Sequence, residues 1–256
     1  MKIATWNVNS VRSRLLHVLD WLRETSPDVV LLQEIKVVEE LFPFEAIEEL
    51  HYNIAVYGQK SYNGVGILSK FPLEDVTKGI PGGTADPQAR YIEAVTGGVR
   101  VASVYVPNGQ AVGSEKFAYK LSFFADLQRH LTTLMKTQEM VFIGGDFNVT
   151  VDDQDVYDPV GWQEEILCST AERQALHQIL QTGYIDTVRS LRPQETIYSW
   201  WDYRQGSFSK NHGLRIDHIL ASPALTGRLK EAGIDVSVRR LEKPSDHAPV
   251  WLIFER

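Results

Sequence analysis

Asp146 and Asn148 stand two residues apart in VFIGGDFNVT (Val141–Thr150), where an apolar run gives out. Side chains alternate faces along a strand, so a strand carried through this stretch aims the carboxylate and the carboxamide to one side and Phe147 to the other. The habit recurs. ATWNVN ends in Asn7 and Asn9, VVLLQE ends in Glu34, and VYVPN carries Tyr105 and Asn108. RID places Asp217 inside an apolar run, and SDH sets Asp246 and His247 just before the last apolar segment. Glu34, Asp146, Asp217 and Asp246 are hard oxygen donors, accompanied by carboxamides and one histidine with no cysteine nearby. That donor set suits Mg²⁺ or Mn²⁺ and not a zinc site. Mg²⁺ takes one or two protein carboxylates and leaves its remaining positions to water and substrate phosphate. Four acids exceed what one ion needs, so some position a water, orient His247 or serve a second ion.

Each residue alone has a plainer reading. Asn9 beside Ser10 can simply open a helix, Asp217 can pair with Arg215, and His247 ahead of Pro249 can be a structural histidine. The weight lies in repetition, because independent turn chemistry would also place glycine, serine and lysine at these strand ends.

The elements that must position these groups are legible as short apolar runs. KIATWNVN, DVVLLQE, NGVGILS, RVASVYVP, MVFIGGDFN, LRIDHILAS and HAPVWLIF read as buried strands. Apolar residues at Leu15, Leu16, Val18, Leu19 and Leu22 predict a first helix, with Ser10 as its N-cap and Pro27 beyond its end. The same spacing from Phe117 to Leu134 predicts a second. Ser169 and Glu172, at capping-box spacing, predict a third that ends before Gly183. KGIPGGTADPQAR (Lys78–Arg90) reads as a loop. No repeat or long linker divides the chain, so one domain is expected. Strands alternate with helices in places and follow one another directly in others, which favours a mixed α/β layered fold over a purely parallel sheet.

The chain has 256 residues, 43% hydrophobic and 23% charged, the balance of a globular protein with a substantial core. A single cysteine, Cys168, allows no intramolecular disulfide. With no secretory signal and no apolar run long enough for a bilayer, a cytoplasmic protein without a membrane partner is expected. The net charge of −7 counts against a nonspecific nucleic-acid coat but not against a nucleic-acid enzyme whose carboxylates hold metal. Arg12, Arg14, Lys36, Lys60, Arg90, Lys116, Arg204 and Lys210 lie near the polar loops. Together they read as a phosphate-tracking face, and singly as solvated charges.

WNVNSVRSR, PDVVLLQEIK, NGVGILSK, RYIEA, VYVPNG, GGDFNV, YSWWDY, GLRIDHILAS and SDHAPV, in this order and through nearly the whole chain, resemble the exonuclease III / apurinic–apyrimidinic endonuclease family. That family lies within the endonuclease/exonuclease/phosphatase superfamily. The resemblance implies a four-layer α/β/β/α sandwich of two mixed sheets flanked by helices, with the active site at one end. It implies Glu34 as principal metal ligand, Asn9 and Asp246 near the same or an adjacent metal position, and Asp146 as base for the attacking water. Asn7 and Asn148 would hold Asp146 and the scissile phosphate, with both carboxylate and amide also close to the metal. His247, oriented by Asp217, would contact a phosphate oxygen, and Tyr105 and Asn108 would bind the phosphate. Trp200, Leu214 and Ile216 match a small apolar pocket for a flipped-out abasic sugar. One departure stands in GQAVGS, where Ala111 replaces an arginine that penetrates DNA in some relatives.

The implied activity is Mg²⁺-dependent hydrolysis, with Mn²⁺ able to substitute, on the 5′ side of abasic sites in double-stranded DNA. Exonuclease action from 3′ ends and 3′-phosphatase activity would accompany it, by a monomer. Two alternatives stand beside this one: a phosphoesterase of the same superfamily acting on lipid or inositol phosphates, and a non-catalytic DNA-binding protein.

Overall fold

Runs rich in valine, isoleucine and leucine become strands here because branched side chains pack well on pleated surfaces buried on both faces. In the computed structural model, residues 1–84, 86–137 and 139–256 are described; Ala85, inside the expected Lys78–Arg90 loop, and Gln138 lie outside the described residues. The first half of the chain runs through β1 (Lys2–Asn7), α1 (Leu15–Thr25), β2 (Val29–Gln33), α2 (Phe44–Glu48), β3 (Asn53–Tyr57), β4 (Val65–Ser69), β5 (Leu73–Lys78), β6 (Tyr91–Thr96) and β7 (Val99–Tyr105). The second half contributes α3 (Glu115–Met135), β8 (Val141–Asp146), α4 (Thr170–Gln181), β9 (Ile185–Asp186), α5 (Thr187–Leu191), β10 (Asp217–Ala221), β11 (Leu229–Ile234) and β12 (Val250–Phe254).

Two six-stranded sheets result, ordered β11-β12-β1-β2-β4-β3 and β5-β6-β7-β8-β10-β9. Read in opposite directions, the two orders carry the same sequence of pairings. Each has one parallel pair, β1 with β2 and β7 with β8, flanked by antiparallel neighbours. Across the sandwich β1 lies over β8 and β2 lies over β7.

Strand parity decides which residues face the other sheet. Ile3, Leu31, Phe142, Ile219, Leu252 and Phe254 form the apolar middle of the sandwich. Ala4, Trp6, Val30 and Leu32 point outward under α1, against Val18, Leu19, Trp21 and Leu22. Ile143 and Phe147 point outward under α3 and α4, against Phe124, Leu127, Leu131, Leu176 and Ile179. Toward one end the interior turns polar. Gln33 Nε2 donates to Ser103 Oγ at 2.9 Å, and Thr5 Oγ1 meets Gln33 Oε1 at 3.1 Å. The next inward positions on the same strands are Asn7, Tyr105, Asp146 and Asp217, so the site is the open end of the interior itself. Gly144 lets the sheets approach there, since a Cβ would fall 2.7 Å from Leu31 Cδ1.

All seven expected strands and all three helices form. The first helix differs at its start. Ser10 has φ 88° and opens a turn, accepting from Arg14 N at 3.2 Å through its carbonyl, and the helix begins only at Leu15. The third carries the expected capping box between Ser169 and Glu172. Strands β3, β5, β9 and β11 are additional, and β6 lies in the RYIEA block. β5 is largely exposed and polar (LEDVTK), an edge strand with no apolar run to reveal it.

Candidate active site

Asp146 ends β8, and Asn148 is not on a strand at all. Its φ is 51° and its backbone N–H donates to Asp146 Oδ1 at 2.9 Å, a tight turn closed by the aspartate side chain. The carboxamide therefore reaches the site by a turn, and the expected strand alternation is corrected. Its Nδ2 donates to Val106 O at 2.9 Å, and its Oδ1 accepts from Asn108 Nδ2 at 3.1 Å. Asn7 and Asn9 repeat the device at the end of β1: Asn9 has φ 45° and donates to Asn7 Oδ1 at 3.0 Å. Glu34 (φ 48°) and Lys36 (φ 53°), after β2, share the left-handed conformation, which non-glycine residues adopt at some strain.

The Asn7 Nδ2 group joins two carboxylates from different sheets, donating to Glu34 Oε1 at 2.8 Å and to Asp146 Oδ2 at 2.9 Å. Asp146 is thus held at both oxygens. His247 Nε2 lies 3.7 Å from Asp146 Oδ2, and its Nδ1–H donates to Asp217 Oδ2 at 2.8 Å and Oδ1 at 3.1 Å. Glu34, Asp146 and His247 each offer an atom within 4.8 Å of the others. Burial pushes the Asp146 carboxyl up to about 7, helped by the charges of Asp217 and Glu34 and opposed by His247. Burial alone would lower His247, but Asp217 and then Asp146 outweigh it and push the imidazole up to about 10. It is a cation at neutral pH. Tyr105 is pushed well up by burial and by the Glu34 and Asp146 charges, so its phenol is a donor.

Asp246 stands one step away, accepting from Trp200 Nε1 and Asn9 Nδ2, both at 3.0 Å. Burial raises its pKa, but the His247 charge and these two hydrogen bonds hold it below the usual carboxylate range. Arg215, the alternative partner weighed for Asp217, instead pairs with Asp155 and Asp186 at 2.7 and 2.8 Å. Trp200 exchanges backbone hydrogen bonds with Leu214, both 2.9 Å. Leu214 and Ile216 are buried with Val156, Leu167 and Cys168, and Trp200 packs at the rim of that cluster.

The donor set fits a hard divalent cation. The Lys36 ammonium already lies between Glu34 Oε2, at 2.7 Å, and Asn9 Oδ1, at 2.5 Å, so a cation is accommodated between those two oxygens. Several of the basic residues read as a phosphate face turn inward in this way. Arg14 donates to Asn9 O and Arg90 lies 4.8 Å from the Tyr105 ring centroid, whereas Arg204 stays exposed and pairs with Asp202 at 2.7 Å.

Two serines were missed. Ser199 Oγ donates to Asp217 Oδ2 at 2.6 Å, and Ser245 Oγ donates to Asn7 O at 2.7 Å while accepting from His247 N at 3.2 Å. Both lie inside blocks already singled out, YSWWDY and SDH, but a serine there carries no signal of its own.

The family model of the endonuclease/exonuclease/phosphatase family matches residues 4–247. The chain is 37% identical to the exodeoxyribonuclease III of Haemophilus influenzae, with all of both chains covered. Among solved structures, the 3′ phosphatase NExo from Neisseria, bound to a product DNA hairpin, is 44% identical with a TM-score of 0.97, covering all of both chains. An AP endonuclease from Archaeoglobus fulgidus is 37% identical with a TM-score of 0.95 over the same full coverage. With a matching model over most of its length and these full-length relatives, the chain belongs to the endonuclease/exonuclease/phosphatase family.

Proposed function

We propose that the protein is a Mg²⁺-dependent DNA-repair nuclease, a monomer with one catalytic domain acting in the cytoplasm. It hydrolyses the phosphodiester 5′ to abasic sites in duplex DNA and removes nucleotides or phosphate from 3′ ends. The observation that carries this reading is the meeting of Glu34, Asp146 and His247 within 4.8 Å at the open end of the sandwich.

Phosphodiester hydrolysis needs an activated water, compensation for charge on the nonbridging oxygens, and help for the departing oxygen. Asp146 accepts the proton of the water. Its two oxygens are fixed by Asn7 Nδ2 and Asn148 N, so it cannot rotate away from the line of attack. His247, cationic and held by Asp217, lies against a phosphate oxygen. Asn108 and Asn148 each use one carboxamide proton on protein and keep the other for phosphate. Glu34, with Asn9 and Asp246 close by, would hold the Mg²⁺, which when bound supplies positive charge where the leaving oxygen becomes negative. Trp200, Leu214 and Ile216 form an apolar patch beside Asp246 and His247. Leu214 and Ile216 are buried beneath the half-buried Trp200, whose indole would offer an abasic sugar an apolar rim beside Asp246, and little stacking is lost in extruding such a nucleotide.

The relatives named above support these substrates: one is an exodeoxyribonuclease, one a 3′ phosphatase and one an AP endonuclease. The test uses labelled abasic duplex, recessed intact duplex, 3′-phosphorylated duplex and an inositol phosphate, each with Mg²⁺ or EDTA. Incision at the abasic position, abolished by EDTA and by Asp146→Ala, is expected. Turnover of the inositol phosphate alone would overturn the proposal.

A further inference from the structure

Lys120 is buried deep between α3 and α4, 0% exposed, far too covered to meet DNA. Its ammonium has three protons, and three oxygens receive them: Asn108 O at 3.1 Å, Asn148 O at 2.6 Å, and Glu172 Oε1. The first two are the main-chain carbonyls of the two asparagines whose side chains meet each other at 3.1 Å. Glu172 is equally buried and fully engaged. Its Oε1 also accepts from Leu167 N, and its Oε2 accepts from Ser169 N, both at 3.1 Å.

We infer that Lys120 and Glu172 form a positioning pair that sets the two loops carrying Asn108 and Asn148, and through them the phosphate contacts. The inference rests on the assignment of those asparagines to phosphate made above. Three features carry it. A buried ion pair adds little net stability compared with well-packed apolar groups of the same volume, so stability alone does not account for this one. Two of the three acceptors of the ammonium are backbone carbonyls, and backbone is what must be fixed where Asn148 sits in a left-handed conformation with φ 51°. Gly109, next to Asn108 and at φ 89°, passes so close to the Lys120 stem that a Cβ there would lie 3.1 Å from Lys120 Cδ. The loop is therefore seated directly on this side chain. Glu172 doubles as the capping-box acid of α4, which ties the start of that helix to the same two loops.

The test compares Lys120→Met, which keeps the stem and removes the ammonium, with Lys120→Gln, which restores one donor. Leu127→Ala, a buried apolar position on the same helix, serves as a stability control. In the full chain with Mg²⁺ and abasic duplex, Lys120→Met is expected to lose about 10- to 100-fold in kcat with KM within about 3-fold, as for a small misplacement of positioning groups. Lys120→Gln should fall between it and wild type. Leu127→Ala should lower the melting temperature without moving kcat. Side-chain carboxamide NMR resonances of Asn108 and Asn148 should shift in Lys120→Met and stay in place in Leu127→Ala. An unchanged kcat with unmoved resonances overturns the inference, and Lys120→Gln decides the matter if Lys120→Met does not fold. If wild type cleaves no DNA, the substrate assignment fails, while the resonances still report on the pair.

Discussion

Asn9 and Asn148 follow the ends of β1 and β8, one from each sheet, in the same left-handed conformation, φ 45° and 51°, each with its main-chain N–H on the side chain two residues earlier. Asparagine tolerates this conformation, alanine does so poorly, and glycine does so freely. Backbone and side-chain roles at Asn148 can therefore be separated. Asn148→Gly keeps the turn and removes the amide; it should melt close to wild type and lose about 100-fold or more in kcat, the scale of one lost charge-stabilising donor. Asn148→Ala should lose kcat similarly and melt about 2–6 °C below the glycine variant, from roughly 1–2 kcal/mol of backbone strain. Equal melting temperatures for the two would refute a strained turn.

Asp146 provides a pH test. Its carboxyl is pushed up to about 7, so the folded protein binds a proton there that the unfolded chain, titrating near 4, has released. An acid raised on folding contributes stability at low pH and loses it as pH rises toward the folded value. Asp146→Asn removes that dependence. In EDTA, the melting temperature of Asp146→Asn relative to wild type should climb between pH 5 and 8. His247, raised to about 10, stays protonated over that range. Activity should drop about 10²- to 10⁴-fold, as for loss of a general base. A pH-independent difference in melting temperature would show that the carboxyl is not raised.

Metal binding has a readout separate from turnover. A ligand that binds only the folded state stabilises it by about 2.7 kcal/mol at 100 times its Kd, or roughly 5–10 °C for a domain of this size. Saturating Mg²⁺ should raise the wild-type melting temperature and EDTA should reverse the rise. Glu34→Gln should remove most of the shift. An equal shift in that variant would move the ion away from Glu34.

The residues that gather at the candidate site could be picked out in sequence because strand endings are local properties, although strand parity failed at Asn148, which a turn delivers. Asp146, Asn7 and Tyr105 are the last inward positions of their strands and Asp217 is the first of the antiparallel β10, so periodicity turns them all to the interior. What stayed hidden is non-local. Nothing in IATWNVN reveals that the Asn7 amide will bridge Glu34 and Asp146, because that bond joins two sheets. The burial of Lys120 against Glu172 was equally unreadable, since a lysine on an amphipathic helix usually faces water. The edge strands escaped notice for a different reason. β5 buries little and so has no apolar period to display. The Ser10 cap failed because the chain spends residues 11–14 on a turn before α1 begins.

The glycine pair in VFIGGDFN can be ranked by what surrounds each member. A Cβ on Gly145 would lie 1.9 Å from Val104 O, which is backbone of the neighbouring strand and cannot move without breaking the ladder. A Cβ on Gly144 would lie 2.7 Å from Leu31 Cδ1, the free end of a side chain, and 3.2 Å from Thr5 Cβ across the sandwich. Gly144→Ala should therefore destabilise by about 1–3 kcal/mol, the usual scale of overpacking, and Gly145→Ala by more. Shortening the opposing side chain with Leu31→Val should relieve the first and not the second. In urea unfolding, Gly144→Ala with Leu31→Val should be destabilised by at least about 0.5 kcal/mol less than the sum of its single variants, as contacting positions are. Strict additivity would mean that the sheets do not meet at Gly144. Because Gly144 shares its inward face with Asp146 two residues on, the same double variant should also recover kcat lost in Gly144→Ala.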